Sequence, residues 1–153
     1  MPTTVRSLDK QEIDQAFALA RLAVPDLDQA AWRDFARDML SGQGAEQGGI
    51  LVMEQGGSAL TGLLVYRLRS DLRRGRLMIV DALVPVAFSR RRADEVTRAL
   101  LDAAESTARR LGCAALRVTL EERRLVTLNG ERADVLGDLG FMPEMLTLYE
   151  LRL

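Results

Sequence analysis

The sequence predicts an α/β domain on a mixed sheet, with antiparallel N-terminal hairpins first, a parallel β-α-β crossover later, and flanking helices. Three observations predict it. Strand-like runs between residues 50 and 84 are separated by short polar turns, and such links join antiparallel neighbours. A long amphipathic stretch, SRRRADEVTRALLDAAESTARRLG from Ser89 to Gly112, follows them. An apolar run, AALRVTL from Ala114 to Leu120, comes directly after it. Strand, crossover helix and strand in that order imply a parallel, right-handed unit.

The elements follow in order. Thr4 to Leu8 reads as a short first strand. Asp9 then offers an N-cap, and Glu12 three residues later completes a capping-box-like pair. Ile13, Phe17 and Ala20 recur at helical spacing until Pro25 ends the helix. A second helix starts near Asp26 or Asp28, with Ala31, Phe35 and Met39 expected on its buried face. SGQGAEQGG, Ser41 to Gly49, is a loop. Ile50–Glu54, Ala59–Leu68 and Arg76–Val84 are the three strands, joined by turns at Gln55–Ser58 and Ser70–Gly75.

In the crossover helix Val96, Ala99, Leu100, Ala103 and Leu111 mark one face. Gly112 is placed to stop it, and Arg109 and Arg110 suit the negative end of its dipole. Ala114–Leu120 is expected to be buried. Gly130–Leu139 reads as a short helix and Met145–Leu153 as the last strand.

At 153 residues the chain suits a single domain, 1–153. A domain of this size buries roughly 68–70% of its unfolded surface, enough to stand without disulfides or metals. A net charge of −1 provides no global field for nucleic acid or an anionic membrane. One cysteine, Cys113, excludes an internal disulfide and points to a reducing, cytoplasmic compartment. The absence of histidine excludes histidine-based triads and histidine zinc clusters, and no metal is expected. The N-terminus lacks a signal-peptide apolar core, and no run approaches the roughly 20 apolar residues that span a bilayer.

The order of these elements, with RLMIVDALV, TRALLDAAESTARRLGC, AALRVTL and the late Leu139-Gly140-Phe141, resembles the GNAT superfamily of acyl-CoA-dependent N-acetyltransferases across nearly the whole chain. Leu100 and Leu101 match the family's Leu-Leu pair and Val84 its strand-end valine. The loop between them departs from the family. Arg92 falls at the loop arginine, but Ala93, Glu95 and Thr97 stand where glycines would, and Leu136 stands at the family's late tyrosine. Glycines let a backbone wrap closely round a pyrophosphate. Arginines can replace some of those donors, whereas Glu95 opposes an anion.

The resemblance implies a GNAT-like fold and transfer of an acyl group, acetyl by expectation, from acetyl-CoA to a primary amine by direct attack. It implies a phosphate-side segment of Arg90, Arg91, Arg92, Ala93, Asp94, Glu95, Val96 and Thr97. The bland alternative for the arginines is a solvated basic loop. It implies backbone contacts at Val84 and Val86; the alternative there is ordinary sheet pairing.

Asp81, the only charge inside MIVDALV, is the candidate base, or else a hydrated carboxylate. Glu121 is a second candidate, beside the reading of Glu121 and Glu122 as a surface strand end. Tyr149 is the candidate acid, although Leu136 holds the matching position. Cys113, Trp32 and Phe35 read as core, with the last two also able to shape an acceptor pocket. Arg67, Arg69, Arg73, Arg74 and Arg76 read as a solvated hairpin surface. A homodimer through the late strands is a plausible assembly. The competing function is a catalytically inactive GNAT-like ligand-binding or protein-interaction module, motivated by the missing glycines, Glu95 and Leu136.

Overall fold

The computed structural model describes residues 3–41, 47–119, 136–142 and 150–152. Five strands form one sheet in chain order: β1 Thr3–Ser7, β2 Gly48–Gln55, β3 Ala59–Asp71, β4 Gly75–Pro85 and β5 Ala115–Val118. The first four are antiparallel and β5 runs parallel to β4. Helices α1 Ile13–Ala23 and α2 Gln29–Leu40 cover one face, and α3 Arg90–Arg110 covers the other. The mixed sheet is therefore the one the sequence predicts.

Side-chain caps satisfy free amides at the 3₁₀ turn before α1 and at the starts of α2 and α3. The Asp9–Glu12 capping box opens a 3₁₀ turn, Lys10–Glu12, that leads into α1. Asp28 caps α2 by accepting from Ala31 N at 2.9 Å, and Ser89 caps α3 by accepting from Arg92 N at 3.2 Å. Gly112 ends α3 with φ +75°, the left-handed stop expected of it.

The two faces hold separate cores. Ile13, Ala16, Leu19, Trp32, Ala36 and Met39 pack on Ile50, Val52, Leu63, Val65 and Val84. Val96, Leu100, Leu101, Ala104 and Ala108 pack on Leu51, Met53, Leu64, Met78, Val80 and Leu83. The buried stripe of α2 keeps Met39 as expected but takes Trp32 and Ala36 in place of Ala31 and Phe35, and Phe35 is 42% exposed. The cause is Trp32, whose indole N–H donates to Ile13 O at 2.6 Å and fixes the rotation of α2 on α1. β5 is half-buried rather than fully buried. Of the late elements, residues 136–138 are helical and 139–140 form a turn; residues 130–135 of the predicted helix and most of the last strand, 145–153, lie outside the described residues.

Gly62 sets how closely α3 approaches the sheet. A Cβ there would lie 2.9 Å from Val96 Cγ1 and 3.0 Å from Leu100 Cδ1. Gly62 also pairs with Pro85, so the first turns of α3 lie over the C-terminal end of β4. Gly62→Val should destabilise the protein by about 1–3 kcal/mol through overpacking, read as a lower urea midpoint at unchanged m-value.

At the far edge Arg6 joins three elements. It donates to Glu12 through both terminal nitrogens, at 2.6 and 2.8 Å, and to Glu54 through Nε at 2.8 Å. The Arg6 hydrogen bond, first among its causes, holds the Glu12 carboxyl below its ordinary value of 4.5. A depressed folded value means the contribution is present above the unfolded value and is lost as pH falls through the folded one. Glu12→Gln should therefore remove about 0.5–1 kcal/mol at pH 7 and flatten the decline in stability below about pH 4.5, measured as urea midpoint against pH.

Candidate active site

One residue organises the region. Val65 pairs with Ala82 and Tyr66 with Val80, so Asp81 has no Cα partner in β3. It is the extra residue of a β-bulge, which bends a strand and re-aims a side chain. The parallel pairing of β5 with β4 runs from Leu77–Ala115 to Val80–Val118, and Thr119 N donates to Val80 O at 3.1 Å. Among the described residues that pairing goes no further. β4 continues to Pro85, so among the described residues the strand beyond the bulge is paired with β3 on one side and leaves its other edge open.

The hydrogen-bond alternation shows which groups face that edge. Val86 N donates to Thr61 O at 2.8 Å. In an antiparallel ladder every second residue bonds the same neighbour. Val84 therefore bonds β3, and Leu83 and Pro85 face the open edge. Proline has no N–H to offer, which leaves the Leu83 N–H and the Leu83 and Pro85 carbonyls there. The resemblance implies backbone contacts at Val84 and Val86; the Val86 amide bonds Thr61, and by the alternation the amide that faces this edge is that of Leu83. Pro85 was the signal that could have found it: a proline inside a strand turns its nitrogen away from the partner, and the residue two before it shares that side.

Asp81 is not simply hydrated. Arg67 grips it by both oxygens, Nε to Oδ2 and Nη2 to Oδ1, the latter at 3.0 Å. The hydrogen bond to Asp81, largest among its causes, raises the Arg67 guanidinium further above its ordinary value. Arg67 follows Val65 at alternate spacing on β3, and Val65 lies in the α1–α2 core. The pair therefore stands on the α1–α2 face. Arg67 is thus engaged rather than a solvated member of the hairpin cluster.

On the opposite face α3 begins. Arg90, Arg91 and Arg92 form its first turn, behind the Ser89 cap. Ala93 N donates to Ser89 O at 3.0 Å. Glu95 sits between two of the arginines, 2.8 Å from Arg92 Nη1 and 3.6 Å from Arg91 Nε. The Arg91 side chain remains 91% exposed. Asp94 is half-buried, and Val96 and Thr97 are buried against the sheet. The predicted phosphate segment thus divides. Its first turn faces solvent with three positive charges, and Val96 and Thr97 serve the core. No glycine gives the backbone a close wrap.

Glu121 and Tyr149, the other two catalytic candidates, lie outside the described residues, as does Glu122. Tyr66 lines the core, its hydroxyl over Gly49, and burial pushes its phenol up. Leu136, at the position expected for the family's tyrosine, packs with Leu139 and Phe141 against the α3-side core. Two surface depressions, about 630 Å³ along α2 and about 590 Å³ at the β1–β2 edge, include neither Asp81 nor Leu83. The site is defined by sheet topology, not by concavity. No group of three or more metal-ligating side chains is found among the described residues. None of their helices is long and apolar enough to cross a membrane.

No family model matches the sequence, and neither does any curated protein. Solved structures are nevertheless similar. Aminoglycoside N-acetyltransferase AAC(6')-Iy in complex with CoA superposes with a TM-score of 0.82 at 15% identity, over 99% of this chain and 96% of that one. Aminoglycoside 6'-N-acetyltransferase AAC(6')-Ih from Acinetobacter baumannii gives 0.78 at 11% identity, over 99% of each chain. Glucosamine-6-phosphate N-acetyltransferase from Arabidopsis thaliana gives 0.68 at 12%, again over 99% of each. The chain has the fold of the GNAT acetyltransferases, as the resemblance implied.

Glu95 offsets positive charge at the mouth of α3, so its removal should favour an anion there. Glu95→Gln should bind inorganic pyrophosphate or CoA about fivefold more tightly in calorimetry, the effect of deleting one like charge at roughly 4 Å in water.

Proposed function

We propose that this protein is an acyl-CoA-dependent N-acetyltransferase acting on a primary amine. One observation carries the reading: among the described residues, at a single point of β4 the bulge places Asp81 on the α1–α2 face, the pairing with β5 goes no further, and the Leu83 N–H faces the edge left open. That combination supplies a carbonyl-polarising donor, a carboxylate beside it and an unpaired strand edge to receive an amide-bearing chain. The fold supports it, since AAC(6')-Iy has been solved with CoA and with a CoA–acetylneamine bisubstrate analogue.

The reaction then needs little else. The amine nitrogen attacks the thioester carbonyl carbon, whose oxygen gathers charge that the Leu83 N–H stabilises. The C–S bond breaks as the amide forms. The amine proton passes, through water, to the Asp81 carboxylate, and the departing thiolate takes a proton from solvent. A thiol of pKa about 8.5 leaves without a dedicated acid, which fits leucine at position 136. Acetyl-CoA would lie with its phosphates at Arg90–Arg92 on the α3 face, and the acceptor would approach Asp81 from the α1–α2 face.

A second reading has specific support. Glu95 neutralises part of the arginine turn and Pro85 removes a second edge donor, features that favour a ligand-binding or interaction module without turnover.

Thermal unfolding with acetyl-CoA, CoA and ATP separates the two. Ligand at 100 times its dissociation constant adds about 2.7 kcal/mol, roughly 5–11 °C for a domain of this size. The enzyme reading predicts a shift with acetyl-CoA and CoA but not with ATP, reduced in Arg91→Ala/Arg92→Ala. It also predicts thiol release from acetyl-CoA with at least one of neamine, glucosamine 6-phosphate or n-butylamine, slowed about 100-fold or more in Asp81→Asn. A CoA-dependent shift without thiol release from any probe would favour the module.

A further inference from the structure

We propose that Arg67 is a positioning residue of the acyl-transfer site, holding the Asp81 carboxylate in the one orientation that faces the acceptor. This rests on the reading of Asp81 given above.

The case begins with the bulge. Asp81 is the one residue of β4 with no Cα partner in β3, so the bulge sets the face it stands on but leaves its rotamer to what it bonds. The carboxylate is also about one-third exposed, which leaves room for other rotamers. Its direction is set by what it bonds. Arg67 makes two parallel bonds to it, one to each oxygen. A planar fork of this kind fixes both the direction and the plane of a carboxylate, whereas a single contact leaves it free to turn.

Arg67 is itself well placed to act as a fixed point. It sits in the middle of β3, between strands on both sides: its backbone pairs with Gly48 in β2 and Ile79 in β4. The fork uses Nε and Nη2 and leaves Nη1 and one lone pair on each carboxylate oxygen uncommitted by it. An approaching amine or a relaying water can use those lone pairs without breaking the grip.

Stability does not account for the pair. Arg67 is about half exposed, and ion pairs between exposed side chains contribute little to folding. Substitution at 67 should therefore leave the fold intact and change the geometry at 81. A misplacement near 1 Å in a catalytic group can cost on the order of 100-fold in rate.

The test uses the full chain with acetyl-CoA and the amine, among neamine, glucosamine 6-phosphate and n-butylamine, that gives the fastest thiol release. Arg67→Ala, Arg67→Lys, Asp81→Asn and the double variant Arg67→Ala/Asp81→Asn are compared for kcat, amine KM, CoA affinity and thermal midpoint. Independently, the Arg67 Nε–H resonance is followed by ¹H–¹⁵N NMR. In the wild type it should be protected from exchange, and in Asp81→Asn it should lose that protection.

The proposal expects Arg67→Ala to lower kcat about 10- to 100-fold, with CoA affinity and midpoint unchanged. It expects no further loss when Arg67→Ala is added to Asp81→Asn, because both act through one group. Arg67→Lys should fail to rescue, since lysine keeps the charge but not the fork. A wild-type rate in Arg67→Ala or Arg67→Lys, with Asp81→Asn slow, overturns the role of Arg67 and leaves that of Asp81 standing. A wild-type rate in Asp81→Asn, or no thiol release from any probe, overturns the reading of Asp81 and this proposal with it. An unprotected Nε–H in the wild type overturns the geometry whatever the kinetics.

Discussion

Between their two halves, β4 carries one residue more than the segment of β3 it pairs with, and much of the molecule follows from that extra residue. Met78 and Val80 face α3, and so does Leu83, an odd step that only a bulge permits. Ala82 and Val84 face α1 and α2. Without Asp81 as the inserted residue, every side chain beyond it would turn to the wrong face, because the strand's period is two. The same insertion bends the strand, and β5 follows it no further than Val80 among the described residues. Core packing and the open edge are therefore two results of one local feature.

The start of α3 shows a second balance. Three arginines occupy the positive end of the helix dipole, where cations are unfavourable by about 0.3–1 kcal/mol each at the surface. The first turn carries no acidic residue. Ser89 satisfies one amide, and Glu95, one turn in, offsets part of the charge. Glu95 lies against two of the three arginines, and Arg91 remains almost fully exposed. An anion brought to this turn would have to be held by the groups of the turn itself. Alanine and threonine in place of glycine mean that side chains, more than backbone amides, would have to do so.

Much of the fold was legible because its signals are local. The Asp9–Glu12 cap, the glycine turns, the Gly112 stop and the helical period of α3 each depend on a few neighbouring residues. What failed depended on distant partners. On α2, Ala31 and Phe35 were expected inside and lie exposed, because the face is set by Trp32 reaching Ile13, nineteen residues away. Asp81 stood out in the sequence as a charge within an apolar strand, but Arg67 did not. Five arginines share its hairpin, and only the register of β3 against β4 shows which one meets the carboxylate. That the Val84 and Val86 amides turn to β3 and the Leu83 amide turns away from it was hidden for the same reason, since a bulge shifts parity without leaving a mark in composition.

Pro85 gives that shift a physical explanation. A proline is tolerated in a strand only where its nitrogen points away from a partner. At position 85 it points to the open edge, while Val84 and Val86 bond β3. The proline thus blocks one donor of that edge and leaves the Leu83 N–H as the remaining one beyond the bulge. It also discourages a neighbouring strand from closing over the edge, because a full ladder cannot form there. An edge that resists pairing with protein yet keeps one amide beside a fixed carboxylate suits a ligand better than a strand. Under the proposed function the two faces of the sheet would serve two approaches: an anion-bearing chain from the α3 face, and an amine from the α1–α2 face where Asp81 and Arg67 stand.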